Sequence, residues 1–118
     1  TPERTAKIVR TAKERGIKIL SAGAGAAAHL AGVVAAETTL PVIAVPIDAT
    51  ALNGMDALLA MVQMPAGIPV ATMAIGGGMN AGLMAAQMLA TTDATLAKRL
   101  DAWREALTAS IPAEPSDD

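Results

Sequence analysis

The distribution of charge along the chain constrains its fold more than any other feature of the sequence. Residues 19–97 contain no lysine or arginine, and only four acidic residues interrupt this stretch, Glu37, Asp48, Asp56 and Asp93. Protein surfaces are normally rich in charged side chains. We therefore predict that much of this stretch is buried against other copies of the chain in an obligate homo-oligomer. The alternative is a monomer with an unusual surface of small residues.

Six of the nine cationic residues lie in residues 1–18, where the pattern predicts a helix. Thr1 can cap this helix, Pro2 suits its first position, and Gly16 suits its end. The cations are expected to face solvent rather than to bind nucleic acid, because the chain lacks the aromatic residues on which bases would stack. No nucleic-acid partner is predicted.

Buried-strand patterns alternate with helical patterns in the rest of the chain. Strands are predicted at 17–22, 42–46 and 70–75, and helices at 26–37, 54–64 and 80–90. Glycine-rich turns, including Gly23-Ala24-Gly25, follow the first and third strands. This alternation indicates an α/β fold with a parallel sheet.

The carboxyl-terminal part of the chain predicts one more helix and a tail. The helix runs from about residue 93 or 95 to 110 and carries one apolar stripe, which is expected to dock on an apolar surface. The stripe consists of Leu96, Leu100, Trp103 and Leu107. Residues 1–111 are thus predicted to form a single α/β domain, and residues 112–118 a flexible acidic tail.

Several functional classes are disfavoured by what the sequence contains. The absence of cysteine excludes disulfides, thiolate metal sites and cysteine nucleophiles. One histidine and scattered acids offer too few ligands for a metal site, so no metal is predicted. No apolar run reaches the ~18 residues of a membrane span, and a soluble, cytoplasmic protein without membrane contact is predicted.

His29 is the candidate catalytic residue. It lies in the loop after the first predicted strand, and ligands of open parallel sheets bind where the strands end. The small residues of this loop allow a ligand to contact the backbone, and amides at a helix start favour anions. As the only histidine, His29 is the obvious group to exchange a proton near neutral pH. A histidine that is merely packed or solvent-exposed is the alternative.

The same loop also fits a dinucleotide-binding pattern. Gly23, Gly25 and Ala28 match G-x-G-x-x-A after a strand, and Asp48 could then hold a ribose. Small residues are abundant throughout the chain, so the match has low specificity. A nicotinamide-dependent enzyme remains a lesser alternative.

Four segments, taken together and in order, resemble the class I PurE family, N5-carboxyaminoimidazole ribonucleotide mutase. The first, AGAGAAAHLAG at 22–32, is similar to the family loop AGAGGAAHLPG. The others are LPVIAVPI at 40–47, LNGMDALLAMVQMPAGIPVAT at 52–72 and NAGLMAAQML at 80–89. The loop with its histidine also distinguishes the mutases from the animal-type carboxylases, which use free carbon dioxide.

This resemblance implies a flavodoxin-like three-layer α/β/α sandwich, assembled as a homo-octamer with active sites at subunit junctions. It implies an isomerase of de novo purine biosynthesis that needs no cofactor. The carbamate of its ribonucleotide substrate loses carbon dioxide, which is then added to ring carbon C4. His29 matches the catalytic histidine that shuttles the proton. The positions matching substrate-contacting residues are Ala22, Gly23, Ala24, Gly25, Ala28 and Leu30.

The chain departs from the family pattern at several places. Ala26 stands at a family glycine and Ala31 at a family proline, and the segment 75–80 is shorter than usual. The family pattern also has a strand, a phosphate-binding loop, a helix and a second strand before the equivalent of Thr1. We therefore expect this chain to lack that N-terminal strand-helix-strand, and a truncated, non-catalytic oligomeric scaffold is the alternative function.

Overall fold

The computed structural model describes residues 1–114 of the 118-residue chain. Over these residues, helices and strands alternate up to the fourth helix, and a fifth helix follows. The elements are α1 Pro2–Arg10, β1 Leu20–Gly25, α2 Leu30–Ala36, β2 Val42–Ile47, α3 Met55–Val62, β3 Ala71–Thr72, α4 Gly78–Ala90 and α5 Ala94–Ala109. Residues 115–118 of the predicted acidic tail lie outside the described residues.

The three strands form one parallel sheet in the order β1-β2-β3. β1 and β2 pair along their whole length, from Leu20 opposite Val42 to Gly25 opposite Ile47. β2 is a run of apolar, mostly β-branched residues, and its first three residues are buried, as expected for a central strand. The predicted α/β fold with a flavodoxin-like parallel sheet is confirmed.

β3 is shorter than the predicted strand 70–75 because β2 contains a proline. Met73 N donates to Ala44 O at 2.9 Å, and Gly76 N donates to Pro46 O at 2.8 Å. The N–H and C=O of one strand residue point to the same side, so an amide at position 46 would face β3. Pro46 has no N–H, and the regular ladder therefore stops at Thr72.

Small side chains form the core between the sheet and its helices. Ala22 of β1 and Ala44 of β2 lie in one buried cluster with Ala31 of α2 and with Ala57 and Met61 of α3. Alanine on both sides lets the helices approach the strands closely. This packing fixes α2 and α3 against one face of the sheet, and it sets where the loops between them lie.

A second cluster joins α1 to α2 and β2, and it consists of Val9, Val34, Ala35 and Val42. At the edge of this cluster, Arg10 Nε and Nη2 donate to the two carboxylate oxygens of Glu37 at 2.6 and 3.1 Å. α1 ends at Arg10, earlier than predicted. Turns follow up to Gly16, which has a φ of +75°.

The contacts divide the chain into two compact units, Thr1–Leu83 and Met84–Asp118. In the second unit, α5 begins where the Asp93 side chain accepts a hydrogen bond from Leu96 N at 2.9 Å. None of the residues of α5 is buried, and Trp103 and Leu107 are exposed. Docking of the α5 stripe and a single domain over residues 1–111 both stay predictions. No helix in the described part of the chain is long and apolar enough to cross a membrane.

Candidate active site

The loop that carries His29 is a tight turn after β1. Ala28 N donates to Gly25 O at 3.0 Å and closes this turn. Ala26 and Ala28 have φ values of +53° and +45°. A left-handed conformation costs an alanine about 1–2 kcal/mol. A right-handed helix cannot include these residues, so α2 begins at Leu30 and not at the predicted Ala26.

His29 is the N-cap residue of α2, and its side chain is exposed. Its carbonyl oxygen accepts a hydrogen bond from Val33 N at 3.0 Å, whereas its side chain makes no capping hydrogen bond. The backbone of His29 is therefore fixed by the helix, and its ring stands at the carboxyl end of β1 rather than in the core. This arrangement leaves the imidazole exposed to solvent.

Two glycines of β1 allow the chain to pack closely beneath this loop. A Cβ placed on Gly25 would lie 2.6 Å from Ala49 Cβ and 3.0 Å from Ile47 O, and a Cβ on Gly23 would lie 3.3 Å from Ile47 Cδ1. These separations are too short for ordinary contact. Gly25 is therefore required by the neighbouring backbone, and the sequence-predicted turn Gly23-Ala24-Gly25 is in fact the end of a strand.

The structure places the predicted substrate-contacting residues along this strand end and loop. Ala22 and Ala28 are buried and direct their methyl groups into the core, so only their backbone could meet a ligand. Gly23 and Leu30 are exposed, and Ala24 and Gly25 are half-buried. The six positions and His29 thus lie on one continuous segment, 22–30, and their contact with a substrate stays a prediction.

The loop after β2 packs against this strand end through Ala49, and it contains an interaction that the sequence did not predict. Thr50 Oγ1 donates to Asp56 Oδ2 at 2.8 Å and accepts from Leu52 N at 3.1 Å. The other carboxylate oxygen of Asp56, Oδ1, is buried without a hydrogen-bond partner among the described residues. No motif links a loop threonine to a carboxylate six residues later, so only the folded chain shows this pair.

The dinucleotide interpretation of the loop is not favoured by its geometry. Gly23 and Gly25 lie within β1, whereas the motif requires a glycine turn after the strand. Asp48 is exposed and follows the last residue of β2. Within residues 1–114, no three His, Asp or Glu side chains are grouped closely enough to hold a metal ion.

Comparisons with known proteins agree with the resemblance seen in the sequence. The profile of the family described as AIR carboxylase matches residues 1–110. The chain is similar to proteins named N5-carboxyaminoimidazole ribonucleotide mutase. With that of Bacillus subtilis it shares 59% identity over 107 residues, which cover 89% of this chain and 66% of the relative.

Two further relatives of the same name show similar figures. The Brucella melitensis protein is 53% identical over 120 residues, covering 100% of this chain and 74% of the relative. The Escherichia coli K12 protein is 49% identical over 117 residues, covering 98% of this chain and 69% of the relative. This chain thus spans about two thirds to three quarters of the length of these relatives. Since the profile covers nearly all of the described residues and the identities are high, the chain belongs to the AIR carboxylase family, as its PurE-like segments predicted.

Proposed function

We propose that the protein is an N5-carboxyaminoimidazole ribonucleotide mutase of purine biosynthesis, with His29 as its proton shuttle. The observation that carries this proposal is the exposed imidazole at the end of β1, on a residue whose backbone forms the N-cap of α2 and which follows a strand end of small residues. The identity of 49–59% to relatives that bear this name supports it. The activity is also the one that the sequence segments predict.

The proposed reaction moves a carboxyl group between two atoms of one substrate. Protonated His29 donates a proton to the carbamate nitrogen as its N–C bond breaks and carbon dioxide leaves. Ring carbon C4 then attacks the trapped carbon dioxide and forms a C–C bond. Neutral His29 removes the proton from C4 and returns to its starting state, so no external acid, base or cofactor is consumed.

The segment 22–25 supports this mechanism because the backbone of Gly23 is accessible to a small ligand. Gly23 is exposed and carries no side chain that would keep a planar ring at a distance. We propose that Ala22, Gly23, Ala24, Gly25, Ala28 and Leu30 contact the substrate, the buried alanines through their backbone only. Holding carbon dioxide against C4 in such a pocket replaces a bimolecular encounter by a local one.

The test compares the full-length protein with a His29→Asn variant. We expect the unmodified protein to convert the N5-carboxylated ribonucleotide to its C4-carboxylated isomer, and the variant to lose at least about a hundredfold in kcat, as general acid–base catalysis contributes about 10²–10⁴-fold. Circular dichroism of both proteins checks that the substitution leaves the fold intact. Unchanged turnover in the variant would contradict the role of His29.

A second assay separates the mutase from a direct carboxylase, the activity suggested by the name of the family profile. The protein is supplied with the unmodified aminoimidazole ribonucleotide and bicarbonate instead of the carbamate. We expect slower product formation from this mixture. Faster formation would favour the carboxylase, and no product from either substrate would favour a non-catalytic scaffold.

We also propose that the protein works in the cytoplasm as a homo-oligomer, with the octamer as the expected assembly. The outer side of α3 presents an apolar stripe at helical spacing, formed by Met55, Leu59 and Val62 and extended by Leu52 before the helix. These four side chains are 44–62% exposed in the single chain. An apolar helix face of this kind is typical of an interface between protein chains.

The oligomer is tested by light scattering of the native protein and of a Leu59→Lys variant. We expect a mass of several chains for the native protein and a smaller mass for the variant, because a lysine in an apolar interface is costly to bury. Ala36→Lys, at an exposed position of α2, is the matched control and should keep the native mass. A native mass of one chain would contradict the proposal.

A further inference from the structure

The Asp56 side chain, in the first turn of α3, contacts the loop that precedes the helix. Its Oδ1 atom is buried and has no hydrogen-bond partner among the described residues. A buried carboxylate oxygen without a donor is unfavourable, since it has lost the water that solvated it. The one hydrogen bond that the side chain is seen to make is to the Thr50 hydroxyl, at 2.8 Å. Asp56 lies in the first turn of α3, where a carboxylate is favourable, and its bond to Thr50 ties this turn to the preceding loop.

Thr50 connects Asp56 to the loop after β2. Its hydroxyl accepts from Leu52 N at 3.1 Å, and its carbonyl accepts from Asn53 N at 3.1 Å. Asn53 has a φ of +52°, so the loop turns sharply before α3 begins. One side chain thus joins the loop both to itself and to the first turn of α3.

The anchored loop packs directly against the strand end that carries the proposed site. Ala49, next to Thr50, is so close to Gly25 that a methyl group at Gly25 would lie 2.6 Å from the Ala49 Cβ. Gly25 in turn accepts the hydrogen bond from Ala28 N that closes the turn before His29. A continuous series of contacts therefore runs from Asp56 through Thr50, Ala49 and Gly25 to His29.

We propose that Thr50, held by Asp56, is a positioning residue for His29. The pair fixes Ala49 against Gly25 and thereby the turn that sets the height and direction of the imidazole. This inference rests on the proposed function for its kinetic consequence, although the geometric consequence for His29 is independent of any activity. A substitution far from the reacting atoms that misplaces them by about 1 Å is sufficient to reduce turnover severely.

The chain offers a matched control for Thr50. Thr38 makes the same local turn, because its hydroxyl accepts from Leu40 N at 3.1 Å. Thr38 lies before β2, however, at the opposite end of the strand from His29. Removing either hydroxyl deletes the same hydrogen bond to the residue two positions later, and only Thr50→Val also releases a carboxylate.

The experiment measures Thr50→Val, Thr50→Ser and Thr38→Val in the full-length protein by two independent methods. The first is NMR of the imidazole Cε1–H group, whose signal is unambiguous because His29 is the only histidine of the chain. We expect this signal to move in Thr50→Val, to return to its native position in Thr50→Ser, and to stay in place in Thr38→Val.

The second method is steady-state kinetics. We expect kcat to fall about tenfold in Thr50→Val with KM changed less than about twofold, since misplacement affects the reacting geometry more than binding. Thr50→Ser should recover kcat, and Thr38→Val should keep it. Asp56→Ala should resemble Thr50→Val, and the double variant should be no worse than either single one.

The two methods keep the inference and the proposed function distinguishable. Absence of turnover in the unmodified protein would contradict the proposed function, and the NMR signal would still decide the inference. A His29 signal that does not move in Thr50→Val, or that moves equally in Thr38→Val, overturns it. An unchanged kcat of Thr50→Val in an active enzyme overturns it as well.

Discussion

On the side where the strands begin, α1 and the segment after α2 are joined by charged and polar side chains. On the side where the strands end, the loops are joined by close packing at glycines. Arg10 pairs with Glu37 and Lys13 with Thr39 on the first side. On the second side, Gly25 contacts Ala49 and Gly54 contacts Ile75.

This difference indicates how each side should respond to change. Long charged side chains on an exposed surface can move and are replaced by water at little cost. Backbones in close contact cannot accept even one additional methyl group without displacement. The proposed active site lies on the side that tolerates less, so substitutions there should affect stability and activity together.

The largest effect is expected for Gly25→Ala. The new methyl group would meet Ala49 Cβ and Ile47 O, and neither is the end of a flexible side chain. We expect a loss of about 3 kcal/mol in the free energy of unfolding. Denaturant titration at fixed protein concentration measures it, with Gly82→Ala as the control because a Cβ there has no neighbour within 4 Å. Equal stability of the two variants would contradict the packing argument.

Gly54→Ala should be less destabilising. Its methyl group would lie 2.6 Å from Ile75 Cγ2, but the Ile75 side chain is 37% exposed and can shift outward. Gly54 also has a φ of +82°, which adds the cost of a left-handed alanine, so a total of about 2 kcal/mol is expected. The same titration measures it. Gly54→Ala/Ile75→Ala, which removes the Ile75 atoms near the new methyl group, should remain less stable than Ile75→Ala alone, because the backbone cost persists.

Ala26→Gly is expected to stabilise the chain, in contrast to the glycine replacements above. Glycine removes the strain of a left-handed alanine at φ +53°, and this gain outweighs the larger conformational entropy that glycine loses on folding. The expected net gain in the free energy of unfolding is below about 1 kcal/mol. Ala27→Gly is the matched control, since Ala27 is also exposed but is not among the residues with positive φ. We expect that control to lower the melting temperature. A decrease in both variants would show that Ala26 is unstrained.

The smallest effect is expected on the side where the strands begin. Arg10→Ala removes the ion pair with Glu37, but the arginine side chain is 65% exposed. The expected loss is below about 1 kcal/mol, and it should shrink at high salt. Thermal unfolding in low and high salt measures it against Arg4→Ala, an exposed position of the same helix. A loss comparable to that of Gly25→Ala would erase the contrast between the two sides.

Much of the fold followed from local sequence patterns, and the errors have physical causes. The strand 42–46 was predicted almost completely because its branched apolar residues favour a buried strand in any context. β1 was predicted too early, at 17–22, because the glycine and alanine residues that end it have little strand propensity. Their place in the sheet comes from the ladder with β2, which is a tertiary interaction.

For the proposed site, the sequence pointed to His29, whose chemical role stays a proposal, and missed the contacts that surround it. A single histidine in a loop of small residues after a strand is visible by inspection. The left-handed alanines beside it are not, because alanine favours helix and the prediction accordingly began α2 at residue 26. The pair of Thr50 and Asp56 depends on how a loop folds back on a helix, and no local pattern encodes that.

Pro46 has a further consequence for how this architecture can change. A central strand that lacks one amide donor releases the third strand after two residues, and the released backbone is then able to bring Ile75 over the start of α3. A residue at position 46 with a backbone N–H would allow the hydrogen-bond ladder between β2 and β3 to continue. Ile75 would then move away from Gly54. The shape of the loops around the strand ends therefore depends on the backbone N–H that Pro46 lacks in the central strand.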